Sequence, residues 1–112
     1  MENSEFTKGS KFSFSNQVEY AKGGIVSKNV IKKSTGNVSL FAFDKGESLS
    51  EHTAPFDALA QIIEGDATIT IGGRENQLFA GESIIMPANV THAVHATSCF
   101  KMLLTMIRDP QQ

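Results

Sequence analysis

From Gly24 onward the apolar side chains of this chain recur with a period of two, and no segment carries a convincing period of 3.6. Successive side chains of a strand point to opposite faces, so this pattern commits the chain to strands and to a core that those strands share. Ile25 to Lys32 and Asn37 to Phe43 read as the first two strands. In the second, Val38, Leu40 and Ala42 face one way and Ser39, Phe41 and Phe43 the other. Leu49 to Thr53 is a short strand, Ala58 to Glu64 runs back, and Ala67 to Ile71 alternates most plainly. Gln77 to Ala80, Ser83 to Met86, Thr91 to Ala96 and Phe100 to Ile107 complete the set. Turn residues separate them at Asp44-Lys45-Gly46, Pro55-Phe56-Asp57, Gly72-Gly73 and Pro87-Ala88-Asn89. Glycine accepts the positive φ of a two-residue hairpin loop, and asparagine tolerates the same region. About nine or ten short strands with close turn signals describe an all-β sandwich or barrel.

A chain of 112 residues holds one such domain. Residues 1–22 are polar, rich in Ser and Lys, and carry Phe6, Phe12 and Phe14. They read as an N-terminal arm or extra strands that dock either on their own barrel or on a neighbouring copy. Residues 23–108 then form the barrel and 109–112 a polar tail. Lys and Arg number 10 against 12 Asp and Glu, a net charge of −2, which gives no electrostatic basis for nucleic-acid binding. Lys28, Lys32 and Lys33 lie beside a predicted strand and read as solvent-facing or edge-strand lysines. No apolar run approaches the ~20 residues of a membrane span. Met1 to Glu5 lacks the charged-then-apolar pattern of a secretion signal, so the expected location is the cytoplasm. The one cysteine, Cys99, excludes an intramolecular disulfide and reads as a small apolar filler on a strand.

A short internal echo leads to the chemistry. Gly46-Glu47-Ser48-Leu49 recurs as Gly81-Glu82-Ser83-Ile84, 35 residues later. Five residues separate Gly46 from His52; Ala54, Ala58 and Gly65 follow at fixed intervals. Five residues separate Gly81 from Pro87; Asn89, His92 and Ala96 follow. This spacing resembles the two motifs of the cupin superfamily, Gly-x5-His-x-His-x3-4-Glu-x6-Gly and Gly-x5-Pro-x-Gly-x2-His-x3-Asn. The resemblance spans Gly46 to Ala96, with 15 residues, Asp66 to Ala80, between the motifs as in small single-domain bacterial cupins. It implies a double-stranded β-helix, the RmlC-like jelly-roll barrel, with a pocket inside. It also implies a homodimer, in some members by exchange of N-terminal strands.

The departures carry as much information as the match. The family's motifs supply three His and one Glu to Mn, Fe, Ni, Cu or Zn. Here His52 and His92 occupy two of those positions, while Ala54 stands for the second His and Ala58 for the Glu. Two imidazoles alone make a weak metal site, because stable sites present three or more ligands in fixed geometry. Asp57 precedes the lost Glu and a small shift would turn its carboxylate inward, although Pro-Phe-Asp is also ordinary turn chemistry. His95 is three residues beyond His92 and faces the other side of its strand. One divalent transition metal and none at all are equally compatible with this set.

Phe41, Phe43, Met86, Met102, Leu104 and Met106 suit an apolar barrel interior, and with Ala54 and Ala58 they are the candidate pocket lining. Two alanines in place of ligands enlarge the pocket and make it less polar, which favours a small organic ligand. Three functions stay open: a small-molecule binder, a metal-dependent oxygenase or isomerase (or a metal-free enzyme with His52 or His92 as general base), and an interaction scaffold.

Overall fold

Two glycines in succession set the plainest hairpin. Gly72 and Gly73 both take positive φ, 57° and 81°, the backbone that a two-residue loop needs to keep the twist of its flanking strands. The computed structural model describes residues 6–109; the calls on residues 1–5 and 110–112 lie outside the described residues. Nine strands are present among the described residues: β1 Ile25–Lys33, β2 Gly36–Phe43, β3 Ser48–His52, β4 Ala58–Glu64, β5 Asp66–Ile71, β6 Arg74–Phe79, β7 Ser83–Met86, β8 His92–His95 and β9 Phe100–Ile107. They form an antiparallel five-stranded sheet, β1-β2-β9-β4-β7, facing a four-stranded sheet, β3-β8-β5-β6. This is the all-β jelly roll that the motif resemblance implies, with one 3₁₀ turn among the described residues, at Phe14–Asn16 in the arm.

The core lies between the sheets. Phe43, Ala60, Ala67, Ile69 and Phe100 are fully buried there, with Met102 and Ile62 beside them. Phe43 and Phe100 pair across β2 and β9, and their rings stack at 4.5 Å. Full burial of each such side chain contributes about 1.5–3 kcal/mol.

β2 is buried on both faces, and the arm is the reason. Phe41 and Phe43 face the core, while Leu40 and Ala42 face outward into a second cluster with Phe6, Val18 and Leu103. The arm therefore docks on its own barrel. A polar latch holds it. Lys101, 7% exposed, donates to the Ser15 carbonyl at 2.6 Å, pairs with Glu64 at 3.4 Å and sits 5.0 Å from the centre of the Tyr20 ring. Tyr20 in turn donates to Glu64 at 2.6 Å, and Lys28 on the edge strand β1 donates to the Gln17 carbonyl. Lys32 and Lys33 are exposed at that edge.

The repeated tetrapeptide marks a structural two-fold. Gly46 donates to Ala96 and Ala96 to Glu47; Gly81 donates to Ile62 and Ile62 to Glu82. Both glycines adopt φ near 90°. The same turn thus starts β3 beside β8 and β7 beside β4.

Two details depart from the sequence reading. β6 begins at Arg74 rather than Gln77, because an edge strand with one solvated face accommodates Arg74-Glu75-Asn76 without apolar alternation. Cys99 precedes β9 rather than lying on a strand; it is half-buried and its thiol points at Asp44 Oδ1, 3.3 Å away.

Candidate functional site at the histidine end of the barrel

The connections sort the barrel into two ends. The turns 44–47, 80–82 and 96–99 and Gly65 close one end. The turns 34–35, 53–57, 72–73 and 87–91 lie at the other, as does the chain leaving β9. His52 ends β3 and His92 begins β8, so both lie at this second end. Ala58, Met86 and Met106 lie there too, since Ala58 pairs with Met86 on one side and Met106 on the other.

Two loops are stitched together to align the histidines. Asn89 donates its backbone N–H to Ala54 O at 2.7 Å, and Ala88 donates to Asp57 Oδ1 at 2.8 Å. Asn89 has φ 63°, the one left-handed non-glycine among the described residues, which is the conformation expected of it. His52 and His92 then pair across β3 and β8, with rings 4.3 Å apart and inclined at 66°.

Their nitrogens fix the chemistry. His52 Nδ1 lies 2.8 Å from the Ser50 carbonyl, and His92 Nδ1 lies 3.4 Å from that of Val90. A carbonyl only accepts, so His52 carries its proton on Nδ1 and presents a lone pair at Nε2. That lone pair faces His92 Nε2 at 3.1 Å. The His92 Nδ1 contact is the long one, so the resting pair is satisfied when His92 moves its proton to Nε2 and donates it to His52. Burial of the His92 ring, followed by the charge of His52, holds the His92 pKa below the ordinary histidine value. His92 is 6% exposed, whereas His52 is open to solvent.

The pair fits part of a metal site. With Zn–N bonds of about 2.0–2.1 Å, two nitrogens 3.1 Å apart subtend roughly 95–102° at the metal, the angle of adjacent ligands. No group of three or more His, Cys, Asp or Glu able to hold a metal exists among the described residues. Asp57 therefore does not complete the set, because its carboxylate is turned to the Ala88 N–H. A resident metal held by protein ligands alone does not fit this donor set.

The remaining candidates divide. Phe43, Ala58, Met86 and Met102 belong to the packed core, with Phe41, Leu104 and Met106 against it. Ala54 is half-buried and contributes its carbonyl to the loop stitch. His95 is exposed on the outer face, 2.6 Å from Ser48 Oγ. Outside the barrel a separate apolar cleft of about 940 Å³ opens beneath the arm, lined by Phe6, Phe12, Phe14, Val30, Ile31 and Val38.

Sequence reasoning missed a polar wall on the inner face. Asn37 Nδ2 donates to Ser39 Oγ at 2.9 Å, and Ser39 Oγ donates to Asn29 Oδ1 at 3.4 Å. Asn37 pairs with Met106, which places this string at the histidine end. Arg108 lies there as well, its guanidinium 5.2 Å from the centre of the Phe56 ring.

A cupin domain model matches residues 39–107. An uncharacterized protein of Streptomyces coelicolor is 29% identical over 75 residues, 67% of this chain and 71% of that protein. The crystal structure of a cupin superfamily protein from Desulfitobacterium hafniense is 26% identical, with a TM-score of 0.89 over 97% of this chain and all of the other. A cupin 2 conserved barrel domain protein from Leptotrichia buccalis is 41% identical, with a TM-score of 0.84 over 87% of this chain and 47% of that one.

Proposed function

Because this chain belongs to the cupin domain family, we propose that it binds a small organic molecule at the histidine end of its barrel. The observation that carries the reading is the convergence of His52 Nε2 and His92 Nε2 at 3.1 Å, at an end where alanine occupies the other two motif positions. Two polar groups aimed at one point beside an apolar lining are what orient an organic ligand. A ligand hydroxyl placed between the two nitrogens donates its hydrogen to His52 Nε2 and accepts the His92 Nε2 proton. Selection rests on that geometry, with no chemical step required of the protein.

The test is a soluble fragment library screened by NMR on the whole chain, beside His52→Ala and His92→Ala. Saturable movement of the His52 and His92 ring signals, absent in both variants, supports the reading. Hits that leave both rings unmoved would overturn it.

One observation favours a second reading. The 3.1 Å spacing is also that of adjacent metal ligands, which suits a metal-dependent oxygenase or isomerase whose remaining ligands come from substrate and water. Elemental analysis of the purified chain separates the two. Near-stoichiometric transition metal, lost in both alanine variants, moves the enzyme reading to first place.

A further inference from the structure

The ligand's charge is legible at the same end of the barrel. Inner and outer faces alternate along β9: Phe100, Met102, Leu104 and Met106 face the core, whereas Leu103 packs on the arm. The ladder with β2 continues one step past the strand, because Arg108 N–H donates to the Thr35 carbonyl at 2.7 Å. Arg108, one residue past the strand, therefore continues the register of the inward series after Met106 and is exposed at the rim of this end. Its guanidinium lies over Phe56, in the turn that separates His52 from Ala58. A cation–π contact restrains the guanidinium beside the turn while its N–H groups stay available to bind.

The wall beside it is polar where the deeper wall is apolar. Along the inner face of β2 the series runs Phe43, Phe41, Ser39, Asn37 from the closed end to the histidine end. Ser39 is 6% exposed and is bonded to both amides, so the string is fixed in place. Those two bonds leave Asn37 Oδ1 and Asn29 Nδ2 unconsumed. The one carboxylate in the adjoining turn, Asp57, is occupied by the Ala88 N–H, and no carboxylate joins the histidine pair among the described residues.

We infer that the ligand is a small organic acid bearing a hydroxyl group, its carboxylate received by Arg108 and its hydroxyl directed to His52 and His92. Planar, two-pronged recognition is the property that distinguishes a guanidinium from a point charge, and a carboxylate is its geometric complement. The amides of Asn29 and Asn37 serve further polar groups of the same ligand. The inference rests on the reading of this end as a binding site, and the experiment separates the two.

The probes are lactate and lactamide, which share shape and hydroxyl and differ in charge. Each is titrated into the whole chain and followed through the ring signals of His52, His92 and Phe56. The expected result is saturable binding of lactate, with lactamide weaker by roughly tenfold, the scale of one charge-assisted hydrogen bond. In Arg108→Gln the two probes become equal, and in Arg108→Lys the preference returns in part. The backbone spectrum reports that each variant is folded. Equal binding of both probes to the native chain overturns the acid inference and leaves the binding-site reading standing. A lactate preference retained in Arg108→Gln overturns the role of Arg108. Movement with neither probe overturns the inference for this ligand class, while the fragment screen still decides whether the site binds at all.

Discussion

His52 Nε2 and His92 Nε2 face each other across 3.1 Å, and each ring turns its Nδ1 toward the main-chain carbonyl two residues earlier in sequence. The two halves of the site are thus built alike, from the end of one strand and the start of another. They differ in one respect. The Nδ1 contact is 2.8 Å at His52 and 3.4 Å at His92, which decides which ring gives up its Nδ1 proton.

The tautomers follow and can be read directly. For the neutral rings, long-range ¹H–¹⁵N spectra are expected to find the proton of His52 on Nδ1 and that of His92 on Nε2. The reverse assignment would contradict the resting arrangement. In His52→Ala the His92 ring loses its acceptor, and its proton is expected to return to Nδ1.

The pH dependence has a definite sign. Burial, then the neighbouring charge of His52, depresses the His92 pKa, so the folded chain holds that proton less tightly than the unfolded chain. The His92 contribution to stability is therefore complete above the ordinary histidine value of about 6.5 and is lost as pH falls through the depressed value. Denaturant midpoints measured downward from pH 7 should fall below about pH 6.5, and less steeply in His92→Gln. His52→Ala removes one of the two causes and should raise the His92 pKa in an NMR titration.

Tyr20 supplies a separate probe of the arm, since the chain has one tyrosine and no tryptophan. Burial raises its pKa, and the hydrogen bond to Glu64 raises it further. The folded chain retains the phenol proton more tightly, so this contribution is lost as pH rises past about 10, the value in an unfolded chain. Tyrosinate absorbance should accordingly appear together with loss of structure, in one steep step, and not as an independent titration near pH 10. Tyr20→Phe keeps the ring beneath Lys101 and loses the Glu64 bond, at a cost of about 1 kcal/mol.

Gly65 is a sharper test of the barrel. It turns the chain from β4 to β5 with φ 75°, and a methyl group there would collide with the Cys99 carbonyl and Phe100. Those are main-chain and core atoms that cannot swing aside. Gly65→Ala should destabilise by more than about 2 kcal/mol in urea unfolding, whereas Gly73→Ala, with open space around it, should cost less.

The fold was legible because its evidence is local. Alternation along Ala67–Ile71, paired glycines at 72–73 and the repeated Gly-Glu-Ser turn each specify backbone without reference to distant residues. The histidine pair was legible through motif spacing. The polar wall was not, because Asn29 reaches Ser39, and through it Asn37, only by the register of β1 on β2. In sequence they look like polar interruptions of strands. Arg108 was hidden for a related reason: its role depends on a ladder that runs one residue past the last apolar position. The arm's phenylalanines announced docking, but only the two-sided burial of β2 identifies its own barrel as the surface.

The missing ligands make the metal question testable by addition as well as removal. Position 54 lies two residues beyond His52, where the family's motif carries histidine, and Ala54 is half-buried in the loop stitched to Asn89. Ala54→His adds a third imidazole to a pair already spaced as adjacent ligands, so the variant should take up Ni or Zn near one equivalent and gain thermal stability that chelator removes. The stitch uses the Ala54 carbonyl, which the substitution retains. The native chain, with two donors, should pass through chelator dialysis with its melting temperature unchanged, since binding stabilises only in proportion to occupancy. Native chain that instead keeps one equivalent of metal after dialysis, and loses it in His92→Ala, would mean that groups beyond the two histidines complete the site.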